Sequence, residues 1–260
     1  MENIQLDFAF NTRDLGQLKT MNGYFIKKNR LIRSGSLSHL SPKDVSILKK
    51  HQLKIVIDFR SQEEFYHKPD FKITGVRYIN LPALPINNLP QKRKDNHMDS
   101  NLLQLVDKEY GGKVLLLKTY HNLFLTKEGL KAYQEFFKIV QENEEGAILW
   151  HCSQGKDRAG MAAFLLEYAL GVSLQDCIED YLFTNQAMKL KIQELTPIVL
   201  SYTQNDYTLL PILEEVFSAK MEYLKEALGV IDQVYNGLDE FLEKILKVNI
   251  VNLRKKYLEF

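Results

Sequence analysis

Cys152 and Arg158 stand either side of five residues in the run His151-Cys152-Ser153-Gln154-Gly155-Lys156-Asp157-Arg158-Ala159-Gly160. A thiol beside two cationic side chains at the start of a helix is expected as the thiolate, which is the nucleophilic form. The same run supplies what an attack on a phosphoryl group needs. The guanidinium of Arg158 offers a bidentate fork, and the backbone N–H groups from Ser153 to Arg158 can converge on an anion. Gly155 allows a backbone turn that a side chain would obstruct. Cys152 would then carry the phosphoryl group as a phosphocysteine, dividing one difficult hydrolysis into two easier steps. Arg158 and the amides neutralise the phosphate, so the reading calls for no metal and no cofactor.

The surrounding elements fit that use. Ala147-Ile148-Leu149-Trp150 reads as a buried strand after the turn signal Glu145-Gly146, and Met161 to Leu170 as an apolar helix capped by Gly171. A loop between strand and helix N-terminus favours anions through its free N–H groups and the helix dipole. A lone cysteine is more often a buried structural residue, but here the glycine, the arginine and the strand–loop–helix setting agree against that alternative.

A leaving oxygen also needs a proton. Asp58 closes the apolar strand Ile55-Val56-Ile57-Asp58-Phe59, and in open α/β sheets sites gather outside the carboxyl ends of the strands. Asp58 is therefore favoured as the general acid, with Asp157 as a loop brace or alternative acid. A cap or a partner for Arg60 is the bland reading of Asp58.

His151-Cys152-x-x-Gly155-Lys156-Asp157-Arg158-x-Gly160 resembles the signature loop of cysteine-dependent tyrosine phosphatases. Gly-Lys-Asp-Arg is similar to the bacterial branch that includes the secreted mycobacterial phosphatase B and the Listeria lipid phosphatase A. Arg13-Asp14-Leu15-Gly16, Leu31-Ile32-Arg33-Ser34-Gly35, Ile57-Asp58-Phe59-Arg60-Ser61 and Asp180-Tyr181-Leu182 also resemble motifs of that branch. The resemblance implies a phosphatase-like α/β fold with a central, largely parallel sheet flanked by helices. It implies catalysis by Cys152 and Arg158, phosphate contacts from Ser153, Gln154, Gly155 and Lys156, and support from His151, Arg60, Arg13, Asp14 and Arg33. The implied substrates are phosphotyrosine proteins, with phosphoserine, phosphothreonine or phosphoinositides beside them. Lys156, a basic side chain inside the loop, is expected to suit a second phosphate such as that of a phosphoinositide. Two departures stand out. No Trp-Pro-Asp acid loop occurs, and Ala159 replaces the hydroxyl residue many relatives carry after the arginine, which predicts a slow second step. Other readings stay open: a mainly phosphoinositide phosphatase, a rhodanese-like sulfurtransferase or a non-catalytic phosphate-binding module.

The bounds are those of an ordinary globular chain. Its 260 residues, 45% hydrophobic and 26% charged, predict a single domain over 1–260 with a sizeable core. A net charge of +1 gives no bulk attraction for nucleic acid, so any anion affinity must be local. The remaining partner expectation is peripheral contact with lipid headgroups. Two cysteines, Cys152 and Cys177, form neither a disulfide framework nor a metal-binding pattern. No leader pattern opens the chain, which is read as cytoplasmic, with secretion kept open because such relatives are sometimes secreted.

In chain order, Gly23–Ile26 and Leu31–Arg33 predict a hairpin about Lys27–Arg30, and Ser41-Pro42 starts a helix. Val76–Leu81 reads as a strand. Cover elements are expected near 85–112, where Lys92, Arg93 and Lys94 could meet a headgroup, and near 187–228, broken at Pro197 and Pro211. The stripe Leu130, Tyr133, Phe137 and Val140 predicts a core-facing helix.

Overall fold

The computed structural model describes residues 2–85 and 112–260. The expected cover near 85–112, with Lys92, Arg93 and Lys94, therefore lies almost wholly outside the described residues. A six-stranded sheet has the order β1-β2-β4-β7-β5-β6, with β1 Glu2–Asn3, β2 Arg13–Asp14, β4 Leu31–Ser34, β5 Leu53–Asp58, β6 Arg77–Asn80 and β7 Ala147–His151. β4, β7, β5 and β6 run parallel, and β1 and β2 add an antiparallel edge.

β7 explains the architecture. Its five residues are all buried because alternate side chains enter two different cores. Ile148 and Trp150 join Leu31 and Ile57 in the larger core, and Leu149 joins Ile32, Val56 and Leu48 in the smaller one. Helices therefore cover both faces. α1 (Pro42–Lys50), with a Ser41–Asp44 capping box, lies on the smaller core. α4 (Lys127–Glu142) and α5 (Arg158–Leu170) enclose the larger one; α3 spans Lys113–Leu123 and α2 spans Gln62–His67. α5 ends where Gly171 takes φ 91°.

Two sequence expectations need correcting. The hairpin does not form, because both edges of β4 are already taken by β2 and β7. Phe25–Ile26 (β3) pairs instead with Leu258–Glu259 (β8) at the other end of the sequence. Pro197 does not end a helix either: α6 runs from Leu174 to Tyr202 with Pro197 inside it. Its far half packs on α7 (Leu210–Phe217) around Met188, Val199, Leu213, Val216 and Phe217. Those contacts offset the hydrogen bond that proline removes. α8 (Met221–Tyr235) follows, and then α9 (Ile250–Tyr257).

Leu149 is wholly buried, so Leu149→Ala is expected to lower unfolding free energy by about 2–5 kcal/mol in urea titrations. Val251→Ala, at a side chain 75% exposed, should stay within about 0.5 kcal/mol. Equal effects at the two positions would contradict the two-core arrangement.

Candidate active site

β7 carries the chain into the loop, and register fixes what lies beside it. His151 sits opposite Ser34 of β4 and Asp58 of β5, and Asp58 opposite Asn80 of β6. The carboxyl ends of four parallel strands thus form one row, with Cys152 just beyond its centre. The loop is gripped by its carbonyls. Those of Ser153, Gln154 and Gly155 accept hydrogen bonds from the Ser36 N–H (3.2 Å), Asn11 Nδ2 (3.2 Å) and Arg33 Nη2 (2.8 Å). With the carbonyls drawn outward, none of the backbone N–H groups from Ser153 to Arg158 donates to another described residue. That is the pattern of an anion nest.

Gly155 makes the turn. Its φ is +68°, and a Cβ there would lie 2.5 Å from the Ser34 carbonyl oxygen. The first turn of α5 is held from below, where the Tyr133 hydroxyl donates to the Arg158 carbonyl (2.9 Å) and the Trp150 indole to that of Ala159 (3.0 Å). Cys152, the first residue after β7, is 1% exposed and borders the larger core. Cys152 and Arg158 interact electrostatically, as do Cys152 and Lys156.

Arg158 has a resident partner that no local pattern announces. Glu64 takes its Nη1 at 2.7 Å and Nη2 at 3.1 Å, and also accepts from the Ser153 hydroxyl at 2.5 Å. The same carboxylate caps α2, accepting the Ser61 N–H at 2.9 Å. Its four acceptor positions are therefore filled. Burial pushes the Glu64 carboxyl up, but Arg158 and these hydrogen bonds outweigh it and hold it at about 2. Arg158 presents its Nε–H edge with no acceptor among the described residues. Ser61-x-x-Glu64 is a legible capping box; its second use is not legible.

Asp58 is not placed as a proton donor. Its Oδ1 accepts the Arg60 N–H (2.8 Å) and Nε (2.9 Å), and its Oδ2 accepts Arg60 Nη2 (2.7 Å). Arg60 also holds Asp70 at 2.8 Å, and Asp70 in turn meets His151 Nε2 at 2.9 Å. Asp58, Asp70 and His151 are close enough to suggest a metal site, but the guanidinium already fills the space between the carboxylates. Arg60 and His151 thus join Asp58 and Asp70 in one buried network, with Asp58 held as the partner of Arg60.

Lys156 also departs from expectation. Its ammonium is buried and turned from the mouth, donating to the carbonyls of Val216 (2.6 Å) and Ser218 (3.2 Å). Asp157 remains the available carboxylate: Oδ1 sits 3.4 Å from Lys156 Nζ, and the side chain is 16% exposed. Gln154 contributes backbone rather than its amide, whose oxygen is buried with no partner among the described residues.

Behind the loop, Asp180 accepts from Arg13 Nε (2.7 Å) and Arg33 Nη1 (2.6 Å). Burial raises its carboxyl, but the two arginines prevail and hold it below the usual carboxylate range. Arg13 and Arg33 are braces. Asp14 is not at the site; it accepts the N–H groups of Gly16 and Asn29. Cys177 is a buried thiol pushed up by burial, as a structural residue should be.

A carboxylate lowered from 4.5 to about 2 adds stability that is complete above 4.5 and is lost as pH falls toward 2. Glu64→Gln should therefore cost on the order of 2–3 kcal/mol at neutral pH, with the difference from wild type closing below about pH 4. Urea titrations of both proteins across that range check this. A pH-independent difference would mean that Glu64 is not ionised on Arg158.

The tyrosine phosphatase family's sequence profile matches residues 4–259. A protein named as a tyrosine-protein phosphatase in Cupriavidus necator is 28% identical, over 98% of this chain and 88% of its own length. The triple specificity protein phosphatase PtpB of Mycobacterium tuberculosis is 24% identical over 92% of each chain. A solved structure of P. aeruginosa TpbA in complex with pTyr overlaps 61% of this chain and 70% of its own, at 18% identity and TM-score 0.29. That likeness is too slight to add weight to the other two. A profile that leaves only the extreme ends outside it settles the kinship: the chain belongs to the tyrosine phosphatase family.

Proposed function

We propose that this enzyme hydrolyses phosphotyrosine in proteins through a phosphocysteine on Cys152, with phosphoserine, phosphothreonine or phosphoinositide as further substrates. Its kinship would then lie with the PtpB-type branch. The observation that carries the reading is the set of unpaired N–H groups from Ser153 to Arg158 around a deeply set Cys152. In the first step the Cys152 thiolate attacks phosphorus, the S–P bond forms and the ester P–O bond breaks. Asp157 gives the departing oxygen its proton. In the second, water attacks phosphorus, Asp157 takes its proton, the S–P bond breaks and inorganic phosphate leaves. The amides and the free edge of Arg158 hold the phosphoryl oxygens throughout.

Asp157 takes the acid role because the alternatives are occupied. Asp58 is spent on Arg60, and Glu64 has no acceptor position left. Phosphotyrosine comes first because Cys152 lies deep and Lys156 faces away, which suits a projecting aryl ester better than a flat headgroup. The name of the mycobacterial relative, triple specificity, supports the wider substrate range. Sulfur transfer and simple phosphate binding fit a tyrosine phosphatase family chain less well.

Turnover of a phosphotyrosine peptide, a phosphoserine peptide and a phosphoinositide tests the substrate order, and Cys152→Ser should abolish all three activities. Asp157→Asn should lower kcat by about 10²–10⁴ on aryl phosphates with basic leaving groups, and far less on those with acidic ones. Loss independent of the leaving group would refute the acid assignment. Rapid mixing should show a burst of leaving group before a slower steady state, because Ala159 offers no hydroxyl to the departing sulfur. Ala159 is wholly buried, so Ala159→Ser is the substitution that fits. It should raise the steady-state rate about 3- to 10-fold, modest against a preorganised donor's usual effect.

A further inference from the structure

We infer that Lys156 is a positioning residue: it ties the end of α7 to Asp157, making that helix part of the catalytic apparatus. The inference rests on the reading of Asp157 as the general acid.

The ammonium is buried on every side, a position lysine takes only when its donors are satisfied. Two of them go to Val216 and Ser218, at the C-terminal end of α7. Helix ends of that sense carry unpaired carbonyls and partial negative charge, which suits an ammonium. The third faces Asp157 Oδ1 at 3.4 Å. That oxygen is buried, and the groups that face the Asp157 carboxyl are the Lys156 ammonium and the Tyr120 hydroxyl, of which Lys156 carries the opposite charge. The exposed part of the Asp157 side chain therefore lies on its other atoms, where a leaving group can be met. Burial pulls the Lys156 ammonium down in pKa, and Asp157 opposes this.

The carbonyls that hold Lys156 are themselves fixed from α6. Asn185 clasps Ala219 at both ends, with Nδ2 to its carbonyl at 2.9 Å and Oδ1 from its N–H at 2.7 Å. The Tyr181 hydroxyl donates to the Lys220 carbonyl at 3.3 Å and pairs with the Tyr120 hydroxyl at 2.9 Å. A chain of direct contacts thus runs from Asn185 through the 218–220 turn and Lys156 to Asp157. Each contact fixes the next donor or acceptor, and only the last touches the reaction.

The test is a leaving-group series of aryl phosphates on wild type, Lys156→Met, Asn185→Ala and Asp157→Asn. Lys156→Met should lose about 10- to 100-fold in kcat on basic leaving groups and less than about 3-fold on acidic ones, with KM nearly unchanged. Asn185→Ala, outside the loop, should show the same pattern at about 3- to 10-fold. It carries the test alone if Lys156→Met fails to fold. Loss spread evenly over the series in either variant would mean mere structural support and overturn the proposal. So would a Lys156→Met defect confined to phosphoinositides, which would return the residue to headgroup binding. If Asp157→Asn itself shows no leaving-group dependence, the acid assignment fails. If it does and the other two do not, only the coupling fails.

Discussion

A guanidinium taken out of water must find acceptors for its donors and a carboxylate for its charge, and this active site is built around several of them. Arg13 and Arg33 share Asp180, Arg60 joins Asp58 to Asp70, and Arg158 is held by Glu64. The Asp180 and Glu64 pairs bridge segments far apart in sequence, so the sheet edge, α2 and α6 are fastened to the loop by charge as well as by packing. Removing one partner from such a pair leaves a buried charge exposed to no solvent, a penalty commonly of about 3–5 kcal/mol. The loop's shape is thus a consequence of ions placed behind and beside it.

Glu64 shows how economically the arrangement is made. One carboxylate caps a helix, orients Arg158 and fixes the hydroxyl of Ser153. Because all its acceptor positions are filled, it can steer Arg158 without competing for the proton that the reaction moves. Arg158 is left with one edge on Glu64 and an Nε–H edge that meets no acceptor among the described residues.

Much of this was legible in the sequence where the relevant residues are neighbours. Cys152, Gly155 and Arg158 fall in one run, the apolar stretch before them is β7, and Gly171 marks the end of α5. The row of strand ends carrying Asp58 and Cys152 followed from topology alone. What could not be read was direction and long-range pairing. Nothing local says that Lys156 points backward into α7, and the sequence offered Asp58 both as an acid and as a partner of Arg60 without deciding between them. The partnership of Glu64 with Arg158 spans 94 positions. The pairing of Phe25–Ile26 with Leu258–Glu259, and the passage of α6 through Pro197, were likewise decided by neighbours that no local pattern records.

Trp150 is the only tryptophan in the chain, and its indole donates to the Ala159 carbonyl in the first turn beyond Arg158. The protein therefore carries its own fluorophore beneath the loop. Its emission reports the packing of that turn without any label attached.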